Sequence, residues 1–146
     1  MRTPLLCCLV FAVAGCDGMV ALEGWAVTSA NDKGGVVILS QRPREMPKDA
    51  IDSVTVEFWT VDGRQLLSRN NSTSGYFSLS YVGPYQPGLI YLVRASSPGY
   101  DPLTAQVQLE RGTATWGRID LRRSDTRRAF FRQTPTCEVA AARPDP

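Results

Sequence analysis

Histidine is absent from this 146-residue sequence. Its absence removes the usual general base, a common zinc ligand and the base of a serine or cysteine catalytic triad. The carboxylates do not replace it, because Asp52 and Asp62 occupy turn-like positions and Glu57 lies on a strand face. We therefore expect a protein that is not an enzyme and that uses no cofactor and no metal.

A strong charge of either sign is also missing. The chain has 16 lysines and arginines against 14 aspartates and glutamates, a formal net charge of +2. Domains that bind nucleic acid are usually strongly basic. We therefore expect no nucleic acid partner.

No apolar run near the N-terminus is long enough to cross a bilayer. Residues 5–15 form an uncharged run that follows the single positive charge of Arg2. A bilayer core about 30 Å thick needs about 20 apolar residues, so this run is too short. A charged start followed by a short apolar run is typical of a signal peptide, and we expect residues 1–15 to be removed.

The four residues that end this run are more specific than an ordinary cleavage site. Val13-Ala14-Gly15-Cys16 resembles the lipobox of bacterial lipoproteins. The resemblance implies cleavage between Gly15 and Cys16, lipid on the Cys16 thiol, and a tether of residues 16–19. It also implies a bacterial envelope protein on the inner or outer membrane, with its domain in the periplasm or at the cell surface. The alternative is a plain signal peptide, with Cys16 as half of a disulfide.

Alternating apolar and polar residues dominate the rest of the chain. In the segment 53–60, Val54, Val56 and Phe58 share one face, which is the period of a half-buried strand. Asp62-Gly63 then favours a two-residue hairpin turn, with a partner strand over 64–69. Similar patterns predict further strands over 20–28, 35–40, 75–82, 89–96, 104–110 and 113–121, and Pro43 and Pro47 predict a loop over 41–52.

These strands predict one all-β domain over residues 20–123. We expect an antiparallel Greek-key sandwich of seven or eight strands, in which Gly117 marks a bulge in the last strand. The expected core residues are Val54, Val56, Phe58, Phe77, Leu79, either Tyr91 or Leu92, Val93, Val107 and Leu109.

Four segments carry a family resemblance: 51–56 (IDSVTV), 74–79 (SGYFSL), 91–100 (YLVRASSPGY) and the strand that contains Val107 and Leu109. They are similar to carboxypeptidase regulatory-like domains, which implies a transthyretin-like, immunoglobulin-like sandwich. The resemblance also implies a structural or interaction module, whose partner would be another envelope protein or a cell-wall or polysaccharide polymer. In such a fold, Gly99 would let Tyr100 turn back over one end of the sandwich.

Aromatic residues offer a possible ligand surface. Trp59 lies on the polar side of its strand, and Tyr85 and Tyr100 lie near turns. Flat exposed rings of this kind could stack on sugars, which would make the protein a lipid-anchored carbohydrate-binding module. The alternative is that these rings cover the edges of the sandwich.

Arginines are concentrated where the last strand ends and a tail over 124–146 begins. The possible basic patch consists of Arg122, Arg123, Arg127, Arg128 and Arg132. With Phe130 and Phe131 beside it, this patch could contact anionic lipid. The alternative is a solvated face that leads into a disordered, proline-containing tail.

Overall fold

The computed structural model describes residues 18–31 and 33–125. This part of the chain forms eight strands and no α-helix; the 3-10 turn Pro87–Leu89 precedes the sixth strand. The strands are β1 (Val20–Thr28), β2 (Gly35–Leu39), β3 (Val54–Trp59), β4 (Leu66–Ser72), β5 (Tyr76–Tyr81), β6 (Ile90–Ser96), β7 (Leu103–Gln108) and β8 (Ala114–Leu121).

The strands form two four-stranded sheets. The first sheet has the order β2-β8-β1-β5, and the second has the order β4-β3-β6-β7. The all-β sandwich predicted from the sequence is confirmed. One pair departs from the antiparallel pattern, because β1 and β8 pair in parallel while every other pair of neighbouring strands is antiparallel.

The inward-facing side chains of the two sheets meet in one core. Val54, Val56 and Phe58 of β3 are buried, as their alternation predicted, and so are Phe77 and Leu79 of β5. On β6 the core residue is Tyr91 and not Leu92, because Tyr91 shares a face with Val93 and Ala95. The Tyr91 ring stacks on that of Phe58 with centroids 4.7 Å apart.

Two local predictions are corrected. The turn after β3 is longer than two residues: the Thr60 amide donates to the Gln65 carbonyl over 2.9 Å, and β4 begins only at Leu66. Gly63 lies in this turn with a positive φ of 70°, a conformation that glycine adopts without strain. Gly117 is not at a bulge, because it pairs in unbroken register with Gly24 on one side and Ile38 on the other.

The sandwich has two ends that differ in composition. The N-terminal end is formed by residues 18–19, 60–65, 82–89 and 109–113, which lie where β1, β4, β6 and β8 begin and β3, β5 and β7 end. The opposite end is formed by residues 48–53, 97–101 and 122–125. The loop 40–49 runs between the two ends, since it leaves β2 beside Trp116 and reaches the bridge between Ala50 and Val27.

Candidate functional site

The predicted lipidation and cleavage residues, Cys16 and Gly15, lie outside the described residues. The described chain begins at Gly18, and its first two residues already form hydrogen bonds to the domain. The Gly18 carbonyl accepts a hydrogen bond from the Tyr85 hydroxyl, and the Met19 carbonyl accepts one from the Gly112 amide over 2.9 Å. The fold therefore begins two residues after Cys16.

Tyr85 packs against the N-terminal end of the sandwich, and its ring is not an exposed surface for stacking. Its half-buried ring adjoins the core cluster. The Arg111 guanidinium lies over this ring, 4.0 Å from the centroid, in a cation–π arrangement. Together with the hydroxyl bond to Gly18, these contacts give Tyr85 a role in fixing the start of the chain.

Trp59 belongs to a charged network on the outer face of the second sheet. Its indole N–H donates to the Glu57 carboxylate over 2.9 Å, and the Arg94 guanidinium lies 4.4 Å from its ring centroid. Arg69 donates to Glu57 from the neighbouring strand over 2.8 Å. Burial acts to raise the pKa of Glu57, but the bonds from Trp59 and Arg69 outweigh it and hold that pKa below its usual value.

Tyr100 lies at the opposite end of the sandwich. Gly99 has a φ of 80°, and Tyr100 turns back over this end, as the sequence predicted. The Tyr100 hydroxyl lies 2.9 Å from the Thr28 hydroxyl, a contact that the sequence did not predict. Trp59, Tyr85 and Tyr100 thus occupy three separate places. The structure does not bring them together into one platform.

Two members of the predicted basic patch lie within the described residues, and the contacts of their side chains differ. Arg122 donates to the Asp101 carboxylate over 2.7 Å from its Nε. This bond from Arg122, together with one from the Ser124 hydroxyl, holds the pKa of Asp101 below its usual value. Arg123 is exposed and forms a backbone bridge with Tyr100. Arg127, Arg128 and Arg132 lie outside the described residues.

A second group of aromatic residues does converge, on the outer face of the first sheet. Trp25 of β1 pairs with Tyr76 of β5, and their rings meet edge to face with centroids 5.3 Å apart. Trp116 of β8 lies beside Glu23, two residues before Trp25 on β1. All three rings are half-buried. We call Trp25, Tyr76 and Trp116 the aromatic cleft.

The loop after β2 closes one side of the aromatic cleft. The Arg42 guanidinium lies 5.0 Å from the Trp116 ring centroid. Pro43, Arg44, Glu45 and Met46 complete the lining of a cavity of about 360 Å³. Met46 is 61% exposed, so it adds an apolar side chain to the rim of the cleft. The lining of the cleft therefore combines flat apolar ring surfaces with charged side chains of both signs.

A carboxylate and a phenol meet at the edge of the cleft. The Tyr76 hydroxyl donates to the Glu23 carboxylate over 3.0 Å. Burial, and then this bond, raises the pKa of Tyr76 above its usual value. Tyr76 is thus a hydrogen-bonded, neutral ring, suited to stacking and to polar contact at its edge. Within residues 18–31 and 33–125, no group of three acidic or cysteine side chains is arranged to hold a metal ion.

The sequence did contain a signal for this cleft. Trp25, Tyr76 and Trp116 each sit next to an inward-facing residue, Gly24, Phe77 and Gly117, so each lies on the outer face of its strand. The alternation of inward- and outward-facing residues shows on which face of its strand each ring lies, but it does not show which strands are adjacent. The parallel pairing of β1 with β8 puts Trp25 and Trp116 on one surface, and no local pattern predicts it.

The part of the chain that the structure describes contains no helix long and apolar enough to span a membrane. No protein-family model matches the sequence, and no curated protein is similar to it.

Proposed function

We propose that this protein is a bacterial envelope lipoprotein, held at a membrane by lipid on Cys16. Its β-sandwich would be a non-catalytic structural or protein-interaction module of the carboxypeptidase regulatory-like type. The observation that carries the proposal is the position of Val13-Ala14-Gly15-Cys16, two residues before the first hydrogen bonds of the fold.

The start of the fold supports cleavage at this position. Cutting before Cys16 removes none of the eight strands, because β1 begins at Val20. The cut also removes Cys7 and Cys8, so the mature chain keeps Cys16 and Cys137 as its cysteines. A single fatty chain binds a membrane only marginally, whereas the two or three chains of a lipoprotein hold it stably.

The aromatic cleft supports the interaction role. It offers two tryptophan rings, a tyrosine ring and an exposed methionine, all of which are residues that protein interfaces favour. Arg44 and Glu45 at its rim give polar groups of both signs. A partner segment with an apolar side chain at its centre and charged flanks fits this chemistry, and an envelope protein is the partner we favour.

The anchor is tested by replacing the lipidated sulfur. Cys16→Ser is expected to abolish labelling by radioactive palmitate and to release the protein from membranes. Cys137→Ser is the matched control and should keep both properties. If the Cys16→Ser protein fractionates with membranes as the wild type does and takes up as much label, the proposal is wrong.

A second candidate function is carbohydrate binding, for which the aromatic cleft is the specific observation. Tryptophan faces stack on sugar rings, and Glu23 and Arg42 could bind hydroxyl groups. Trp116→Ala is expected to weaken binding to purified cell-wall polysaccharide, while Trp59→Ala, on the other sheet, should not. Equal binding by both variants and the wild type would remove this candidate.

A further inference from the structure

We propose that the N-terminal end of the sandwich is a membrane-contact surface, formed by Met19, Val82, Tyr85 and Arg111, that rests on the headgroup layer of a phospholipid bilayer. This inference depends on the lipid anchor proposed above. It goes further, because it fixes which part of the domain faces the membrane and which part faces away.

The length of chain between the anchor and the fold is the first argument. Gly18 is bound to Tyr85, and Met19 is bound to Gly112. Only Cys16 and Asp17 precede them in the mature chain. Two extended residues span about 7 Å. The headgroup region on each side of a bilayer is about 5–8 Å thick, so this tether brings the N-terminal end to headgroup level.

Exposed apolar side chains at this end are the second argument. Val82 is 67% exposed and Met19 is 44% exposed. Each lies one residue beyond the pair formed by Val20 and Tyr81, so the two adjoin at the end of the ladder between β1 and β5. Exposed apolar residues gathered where a chain meets its anchor are well placed to enter a lipid interface.

The charge difference between the two ends is the third argument. Residues 82–89 (VGPYQPGL) contain no acidic or basic side chain. Arg111 and Glu110 are exposed in the adjoining loop, and the Arg111 guanidinium is held over Tyr85 at the same end. The opposite end carries Lys48, Asp49, Asp52, Asp101, Arg122, Arg123 and Asp125. The N-terminal end also carries Asp62 and Arg64, on the turn between β3 and β4. An uncharged loop over 82–89, with its amphipathic tyrosine and the neighbouring Arg111, suits a phosphate-bearing interface, and the opposite end with its seven charged side chains suits water.

The orientation of the domain on the bilayer is tested by the quenching of dye fluorescence at the depth of the lipid headgroups. The lipidated full-length protein, with Cys137→Ser so that one thiol reacts, is placed in phospholipid vesicles that contain a headgroup-level quencher. An environment-sensitive dye is attached at Val82→Cys or, as the matched control, at Asp52→Cys in the exposed loop at the opposite end. We expect blue-shifted, quenched emission at position 82 and unquenched emission typical of water at position 52. Equal emission at the two positions in vesicle-bound protein would overturn the orientation.

A longer tether provides a second test. A flexible Gly/Ser insertion of about 12 residues between Asp17 and Gly18 has a root-mean-square reach of about 20 Å. It should keep the protein on the vesicles but reduce quenching at position 82. Unchanged quenching would show that the short tether does not set the orientation. Flotation of each sample with vesicles is scored separately, so failure of the lipid anchor is distinguished from failure of the contact surface.

Discussion

Gly24 of β1 and Gly117 of β8 face each other so closely that a Cβ atom on Gly24 would lie 1.7 Å from the Gly117 carbonyl oxygen. The two residues are partners in the parallel pair. The contact is with backbone, which cannot rotate away as a flexible side chain can. A side chain at Gly24 is therefore incompatible with the observed pairing of β1 and β8.

Gly24→Ala is expected to destabilise the domain by at least the upper end of the range of about 1–3 kcal/mol typical of overpacking. Gly35→Ala is the matched control, because a Cβ there would meet nothing within 4 Å. The control should change stability by no more than about 0.5 kcal/mol. Urea unfolding of both variants measures the difference, and equal midpoints would contradict the close approach of the two strands.

Phe77→Ala is expected to cost about 3–5 kcal/mol, because it empties a fully buried site in β5. Ser78→Ala, at the next position on the same strand, changes an exposed side chain and should cost no more than about 0.5 kcal/mol. Thermal and urea unfolding give both values. A small loss for Phe77→Ala would mean that the core is not packed as described.

The network around Glu57 predicts how stability depends on pH. The folded pKa of Glu57 is lowered, so its contribution is fully present above the ordinary glutamate pKa of 4.5 and is lost as the pH falls through the folded pKa. Glu57→Gln should be less stable than the wild type at neutral pH, and this difference should shrink in acid. Glu110→Gln, in an exposed loop, is the matched control and should change stability at neutral pH by no more than about 0.5 kcal/mol. Parallel profiles for Glu57→Gln and the wild type would refute the assignment.

Arg122 and Asp101 hold the last described residues against the opposite end of the sandwich. The Asp101 amide donates to the Arg122 carbonyl over 2.8 Å, and the Ser124 amide donates to the Gly99 carbonyl over 2.9 Å. Arg122→Gln removes the ion pair and should speed hydrogen exchange at the amides of Asp101 and Ser124. Arg123→Gln, which changes an exposed neighbour, should leave both rates as they are. Equal exchange in the two variants would show that the ion pair does not hold this segment.

The local alternation of apolar and polar residues predicted the strands of this fold well, because the same two-residue period holds along each strand. The segment 20–28 was predicted at its observed bounds, and Val54, Val56 and Phe58 were assigned to the correct face. The partner of β3 was placed too early, because composition does not reveal the side-chain hydrogen bonds of the turn between them. The Asp62 carboxylate accepts from the Thr60 hydroxyl and the Arg64 amide, and the Thr60 hydroxyl accepts from the Gln65 amide.

Pairing between distant strands was less predictable. Trp59 and Tyr85 were selected as single residues at polar positions or turns, but the arginines that lie over their rings come from β6 and from the loop before β8. The aromatic cleft likewise depends on three strands that are far apart in sequence. A single sequence shows which side of a strand a ring occupies, but not which other strand lies beside it.

The position of β8 between β1 and β2 has a consequence for the order of assembly. Among the described strands these two come first from the ribosome, yet the partner they share, β8, is the last of them. Contacts between such distant segments form slowly, because a long stretch of chain is ordered before they meet. Until residue 121 is available, β1 can pair with β5 in this sheet, but β2 cannot form its pair with β8. In the exported protein that we propose, the first sheet is therefore completed only after residue 121 has crossed the membrane.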